Sequence, residues 1–281
     1  MPSYRFCRSD DIPLLVYAYN RCYRPHFPDR PELQVERFKS WIRRHDLWTS
    51  SCMVALAGRE PIGVLLAAKR GHANRVLCVG VSPEHRRLRH GSHLMTSLSR
   101  KVAILKPSRL ECELKANDAA SRGFVEACGY RREACWTRFR AQPAPDAPAG
   151  AEWLVSVGVE EPVAAGLLEV GTPRPWARDV ASLHNLRDEL QGLALASDTV
   201  QAFALFHDDD ESDTRRLLAL GAAPGAAAGL NLVLRACRAG TRRPLEIPGL
   251  YAGEIDPAVL AEAGFAPSGQ TELYAAEAVP A

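Results

Sequence analysis

The sequence predicts an α/β protein built as two domains, and three observations carry that expectation. Across residues 1–140 the apolar positions switch between a period of two and a period near 3.6, giving the element order β-α-α-β-β-β-α-β-α-β. Residues 141–150, AQPAPDAPAG, hold three prolines and a terminal glycine, the composition of a linker. Beyond them the chain is poorer in lysine and richer in Ala, Gly and Leu, so residues 151–281 form a second, smaller α/β domain.

Residues 3–8 (SYRFCR) read as a short strand, and Ser9 or Asp10 can cap the next helix, with Pro13 in its tolerated first turn. Ile12, Leu15, Tyr19 and Cys22 recur at helical spacing. Val35, Phe38, Trp41 and Ile42 mark a second helix over 31–44. Residues 52–70 read as a hairpin with strands 52–57 and 62–69. The unbroken apolar run 75–81 predicts a strand buried on both faces. Leu94, Leu98 and Val102, with Met95 and Leu105, form a helical stripe that ends before Pro107. Residues 109–116 alternate like a half-exposed strand, 117–130 make a short helix stopped by Gly129, and 131–140 close the domain as a strand. In the second domain, 152–159 and 199–206 read as strands and 176–195 as helical. FVEACGY (124–130) is echoed by LLALGA (217–222) and VLAEAGF (259–265), each read as a helix end capped by glycine before a strand. A degenerate second copy of the first domain would leave that echo, and so would ordinary helix–glycine–strand junctions.

With 47% hydrophobic and 24% charged residues the chain has enough apolar mass for a core. A net charge of +2 gives no drive toward nucleic acid or an anionic membrane, and no run approaches the ~18 apolar residues of a membrane span. The first residues, MPSYRFCRSDD, carry charge where a signal peptide is apolar. Cys7, Cys22, Cys52, Cys78, Cys112, Cys128, Cys135 and Cys237 are scattered without a C-x-x-C pair, as buried thiols of a reducing compartment are. A cytoplasmic location is therefore expected.

The chemistry concentrates in VGVSPEHRRLRHGSHLM, residues 79–95. A strand that feeds a tight turn into a helix presents outward N–H groups and the positive end of the helix dipole, which suits a phosphate. Gly91 allows close approach of the backbone, and Arg86, Arg87 and Arg89 add charge and forked donors. Gly80, inside the strand, marks either a bulge or a ligand against the backbone.

Spacing and element order resemble the GNAT superfamily of acyl-CoA-dependent N-acyltransferases. Val81-x-Pro83 is followed by Arg86 three positions later and by Gly91 at the second glycine of the family's G-x-G, with Arg89 replacing the first. A second motif places Phe124 before Gly129–Tyr130, with Asn117 or Asp118 and Ala120 or Ser121 near its start. The resemblance implies a mixed, mostly antiparallel sheet flanked by helices, whose fourth and fifth strands splay to hold the pantetheine arm. It implies acetyl-CoA as co-substrate and no metal. Backbone groups of Val79 and Val81 would meet the pantetheine, and Leu88, Arg89, His90, Gly91 and Ser92 would hold the pyrophosphate beside Arg86 and Arg87. Asn117, Ser121 and Phe124 would line the same site.

The family's usual acid and base are missing: Val125 stands where many members have a tyrosine, and Arg75 where many have a glutamate. Glu111 and Glu113 share a strand face and are candidate bases, a solvated face being the plain alternative. Tyr23, His26 and Asp29 lie in a loop that borders the acceptor site in this fold, or serves as a rigid connector. His85, His90 and His93 lack a carboxylate or cysteine at ligand spacing, and arginines beside them repel a cation. HDDDESD (207–213) reads as a solvated helix N-terminus rather than a calcium loop.

The expected activity is transfer of an acetyl group to an amine, on a small molecule or a peptide, without nucleic acid or membrane and with a homodimer left open. The alternative is a non-catalytic CoA-binding or scaffold protein, which Val125 and Arg75 favour. A dinucleotide oxidoreductase fails because no G-x-G-x-x-G follows the first strand. The second domain lacks a V-x-P-x-x-R-x-x-G and is expected to bind no coenzyme.

Overall fold

The computed structural model describes residues 1–28, 30–71, 73–104, 109–169, 174–210 and 212–278; Asp29, Leu105, Pro107 and Glu211 lie outside them. The chain divides into two compact units, Met1–Ala134 with Glu272–Ala281, and Cys135–Thr271.

In the first unit the elements follow the expected order: β1 (Ser3–Phe6), α1 (Ile12–Cys22), α2 (Val35–His45), β2 (Met53–Ala57), β3 (Glu60–Arg70), β4 (Ala73–Val81), α3 (His90–Ile104), β5 (Arg109–Lys115), α4 (Ala119–Ala127) and β6 (Arg131–Ala141). β1 through β4 are antiparallel neighbours, and β4 and β5 run parallel. Apolar residues leave the sheet on both faces. Leu94, Leu98 and Val102 of α3 and Val125 of α4 pack with Leu65, Val76 and Leu110 on one side. Leu15 and Tyr19 of α1 and Phe38 of α2 pack with Val54, Val64 and Cys78 on the other. Leu94 and Leu98 are fully buried, each contributing roughly 1.5–3 kcal/mol by transfer from water. This double cover explains the continuous apolar reading of β3 and β4.

The second unit repeats the order with β7 (Leu154–Ser156), α5 (Glu160–Ala164), α6 (Val180–Asn185), β8 (Gln191–Ala196), β9 (Val200–Asp209), β10 (Thr214–Ala222), α7 (Ala227–Ala239), β11 (Leu245–Leu250), α8 (Pro257–Glu262) and β12 (Ala266–Glu277). β7 through β10 are antiparallel neighbours, and β10 and β11 are parallel. Helices again cover both faces, α7 and α8 on one and α6 on the other. The echo read in the sequence is therefore a repeat of topology.

Four expectations are corrected. Residues 217–222 are strand, not a helix end, because β10 is buried between two helical layers and that burial overrides the helix propensity of Leu and Ala. The stretch 176–195 is not one helix; a single 3-10 turn (Trp176–Arg178), α6 and β8 divide it. The acidic run after Phe206 belongs to the hairpin between β9 and β10, with Asp213 in the left-handed region at φ 47°, so no helix dipole is involved. The boundary placed at 140 also shifts. Glu272–Glu277 at the end of β12 lies in the first unit, whose sheet order sets β12 beside β5. Residues 137–141 at the end of β6 pair with β11 in the second unit.

All eight cysteines are free thiols, and burial pushes Cys7, Cys22, Cys52, Cys112 and Cys237 up to about 12, where a thiolate is scarce. No helix among the described residues is long and apolar enough to cross a membrane.

Candidate functional site

The parallel pair β4–β5 is bonded only at its start, from Ala73↔Arg109 to Val76↔Cys112. At the next residue, Leu77, β4 carries a bulge against β3. Its extra residue bends the strand, and β4 and β5 part beyond it. Leu77, Val79 and Val81 stay half-buried along the resulting slot, with Val79 and Val81 where the resemblance needs them.

Gly80 has a packing cause. A Cβ there would lie 2.7 Å from the Cys22 carbonyl oxygen and 2.8 Å from the Tyr23 Cα, so the end of α1, not a ligand, requires glycine.

The turn after β4 is ordered by local bonds. Ser82, fully buried, donates its N–H to the Ile62 carbonyl at 3.0 Å and shares a 2.9 Å hydrogen bond between its hydroxyl and His85 Nδ1. Arg87 and Arg89 then take φ of 65° and 63°, the left-handed region that favours glycine. Arg89 thus keeps the backbone of the glycine it replaces. Arg87 does the same at a position the sequence reading did not single out. Both side chains and Leu88 are exposed. Gly91 opens α3, and a Cβ there would stand 3.2 Å from the Phe124 ring, so the two motifs meet at this contact.

His90 is buried and its Nδ1 is 2.5 Å from the Tyr4 hydroxyl, while His93 stacks on the Tyr4 ring at 3.9 Å between centroids. Burial, then the charges of His85 and His93, hold His90 below the ordinary imidazole range. These rings serve Tyr4 rather than a shared ion. Ser92 hydrogen-bonds the Cys128 thiol. The Ser121 hydroxyl donates to Asp118 at 2.6 Å and its N–H to the same carboxylate at 3.0 Å, which makes the pair the cap of α4. Asn117 is exposed beside it.

Glu111 and Glu113 share a face as expected, and both are committed to Arg75. Arg75 is 2.8 Å from the Glu111 carboxylate and also ion-paired with Glu113; Arg109 adds a 2.6 Å bond to Glu111. Burial works against the Glu111 charge, but Arg75 and Arg109 outweigh it and hold the carboxyl below its usual range. Arg75, in the position where the family often has a glutamate, is thus the centre of a buried ion cluster. Val125 is 3% exposed and belongs to the core.

At the mouth of the slot His26, in the 3-10 turn Arg24–His26, approaches the backbone of Val81 and accepts at Nε2 from Arg86 over 3.3 Å. Burial first, and then the Arg86 charge, lower its pKa, so the imidazole is neutral. Burial raises Tyr23, and the Asp118 carboxylate acts on both Tyr23 and His26. Loop residues gathered through space in this way leave no periodic trace in a sequence.

A mixed sheet whose one parallel pair parts above an arginine-bearing turn, present as two topological copies, defines the class as GNAT-type, in tandem. Residues 13–130 match the family model described as Acetyltransferase (GNAT) family, and the chain belongs to that family. Over its full length it is similar to solved structures. A GCN5-related N-acetyltransferase from Sphaerobacter thermophilus superposes at TM-score 0.69 and 16% identity, covering 99% of this chain and 96% of that one. A tandem GNAT protein from the clavulanic acid biosynthesis pathway gives 0.67 and 16%, covering 100% of both. A GCN5-related N-acetyltransferase from Anabaena variabilis gives 0.61 and 13%, covering 98% and 72%. Sequence comparison with curated proteins gives no match.

Proposed function

We propose that the first unit transfers an acetyl group from acetyl-CoA to the nitrogen of an amine acceptor. The observation that carries this reading is the parted β4–β5 pair leading into the turn with left-handed Arg87 and Arg89. The slot fits a pantetheine arm, because Val79 and Val81 border it with main chain that β5 does not pair. The turn fits a pyrophosphate. The amides of Leu88, His90, Gly91 and Ser92 crowd at the start of α3, and Arg86, Arg87 and Arg89 surround them with charge. Phe124 braces Gly91 from behind. Asn117 stays available at the rim, whereas Ser121 acts through the cap of α4.

In the reaction the amine nitrogen attacks the thioester carbonyl, the new C–N bond forms, and the C–S bond breaks to release thiolate. The nitrogen must lose a proton. Glu111 and Glu113 are poor acceptors while Arg75 holds them, and His26 suits the task better: it is neutral and sits at the mouth of the slot. Arg86 donates to its Nε2, and engagement of that guanidinium by a phosphate frees the lone pair. The second reading, a coenzyme-binding protein without catalysis, is favoured by Val125 and Arg75 at the family's acid and base positions.

Calorimetry with acetyl-CoA, followed by thiol release with a panel of amines, tests the reading. Micromolar binding with turnover supports it, and binding without turnover on any amine selects the second. No binding removes both. His26→Gln should cut turnover ~10²-fold or more with binding within twofold and should remove the acidic limb of the pH profile. Wild-type rates would return the proton to another group.

A further inference from the structure

The two units can be aligned residue by residue at the slot. β10 carries a bulge at Leu218, as far from its start as Leu77 is in β4. Pairing of β10 with β11 stops at Arg216↔Glu246, so this pair also parts. Ala222-Ala223-Pro224 stands where the first unit has Val81-Ser82-Pro83. Then the copies differ. α7 begins three positions after Pro224, whereas α3 begins seven after Pro83, so the arginine-bearing segment 86–89 has no counterpart.

The slot of the second unit is not empty. The 3-10 turn Trp176–Arg178 lies between α5 and α6 as Arg24–His26 lies between α1 and α2, and Arg178 takes the place in it that His26 holds in the first. Where His26 stays at the mouth, Arg178 reaches inside and is 1% exposed. Its Nε donates to the carbonyl of the bulge residue Leu218 at 3.0 Å, and a terminal nitrogen donates to the carbonyl of Gly249 on β11. The guanidinium thus bonds main chain of both parted strands. Glu254, 5% exposed at its side chain, receives the other face of the fork at 2.6 and 3.1 Å. Pro175 and Trp136 close on Gly249, where a Cβ would meet them at 3.0 and 2.9 Å.

We propose that Arg178, held by Glu254, is the resident occupant of the second unit's coenzyme slot, so that the chain loads one coenzyme, in the first unit. The stoichiometry rests on the function proposed above; the occupancy by Arg178 does not, and two measurements separate them. The first is calorimetry of the full chain with acetyl-CoA, alone and with Gly91→Asp. One site per chain, lost in the variant, is expected. Two sites, or one that survives Gly91→Asp, overturn the inference. Absence of any site overturns the reading of the first unit instead, and the second measurement then decides the occupancy.

That measurement is the melting temperature of Arg178→Ala. Removing one partner of a buried ion pair is expected to lower it by roughly 10 °C or more. About 20 mM guanidinium chloride, filling the vacated fork, restores at least a third of the loss, and equal sodium chloride restores none. An unchanged melting temperature, or restoration by both salts alike, overturns the occupancy. If Arg178→Ala does not fold, Arg178→Lys replaces it. Lysine keeps the charge opposite Glu254 but cannot reach both carbonyls, so a wild-type melting temperature for that variant also overturns the inference.

Discussion

Replacing Arg89 by glycine should stabilise the protein relative to replacing it by alanine. An L-residue in the left-handed region costs about 1–2 kcal/mol, and Arg89 stands there at φ 63°. Glycine escapes that cost but brings back about 0.5–1 kcal/mol through the freedom of the unfolded chain. Arg89→Gly should therefore exceed Arg89→Ala by about 0.5–1 kcal/mol, or roughly 1–4 °C for units of this size. Both variants lose the guanidinium, so charge cancels from the comparison. Arg86 supplies the control. Its backbone is extended at φ −66° and ψ 159°, and there alanine should win over glycine by a similar margin. Thermal melts followed by circular dichroism at fixed salt measure all four variants. The reasoning is refuted if Arg89→Gly melts no higher than Arg89→Ala, or if the sign is the same at both positions.

Three further outcomes are expected. Gly91→Ala should raise the coenzyme Kd several-fold by pressing on Phe124, and Phe124→Leu should recover part of that loss; additive effects of the pair in calorimetry would contradict the contact. Gly80→Ala drives a methyl into the main chain at Cys22 and should cost 2 kcal/mol or more, on the order of an overpacked core, which urea unfolding checks. His90 is held below its ordinary pKa, so the unfolded chain takes up its proton first and stability is lost as pH falls below about 6.5. Glu111 has the opposite linkage: its contribution is present at neutral pH and is lost below its ordinary value of about 4.3. Melting curves from pH 7 to 3 should therefore flatten in the upper half for His90→Gln and in the lower half for Glu111→Gln.

Much of the site was legible because its chemistry is local. Val81, Pro83, Arg86 and Gly91 lie within one turn, and a short-range code suffices for a strand that hands main-chain amides to a helix. Phe124 was legible by its distance from Gly129, and the structure adds why: it touches Gly91. Arg87 was not legible as a left-handed residue, since an arginine carries no mark of its backbone angle. The pairing of Arg75 with Glu111 and Glu113 depends on neighbouring strands, so alternation along β5 identified the shared face but not what it faces. Arg178 was invisible for the same reason. One arginine in a loop after a proline does not disclose that two parted strands will close on it.

The placement of Glu272–Glu277 in the first unit bears on how the chain can be handled and how it could have changed over time. The segment 1–140, which carries the whole family motif, lacks the strand that follows β5 in its own sheet. Produced alone, it would present β5 as a raw edge, open to pairing with other chains. Removing the second unit, even one with no chemistry of its own, would expose that edge. Once the two copies had traded their last strands, neither could be deleted without harm to the other, and a duplication that began as surplus became obligatory.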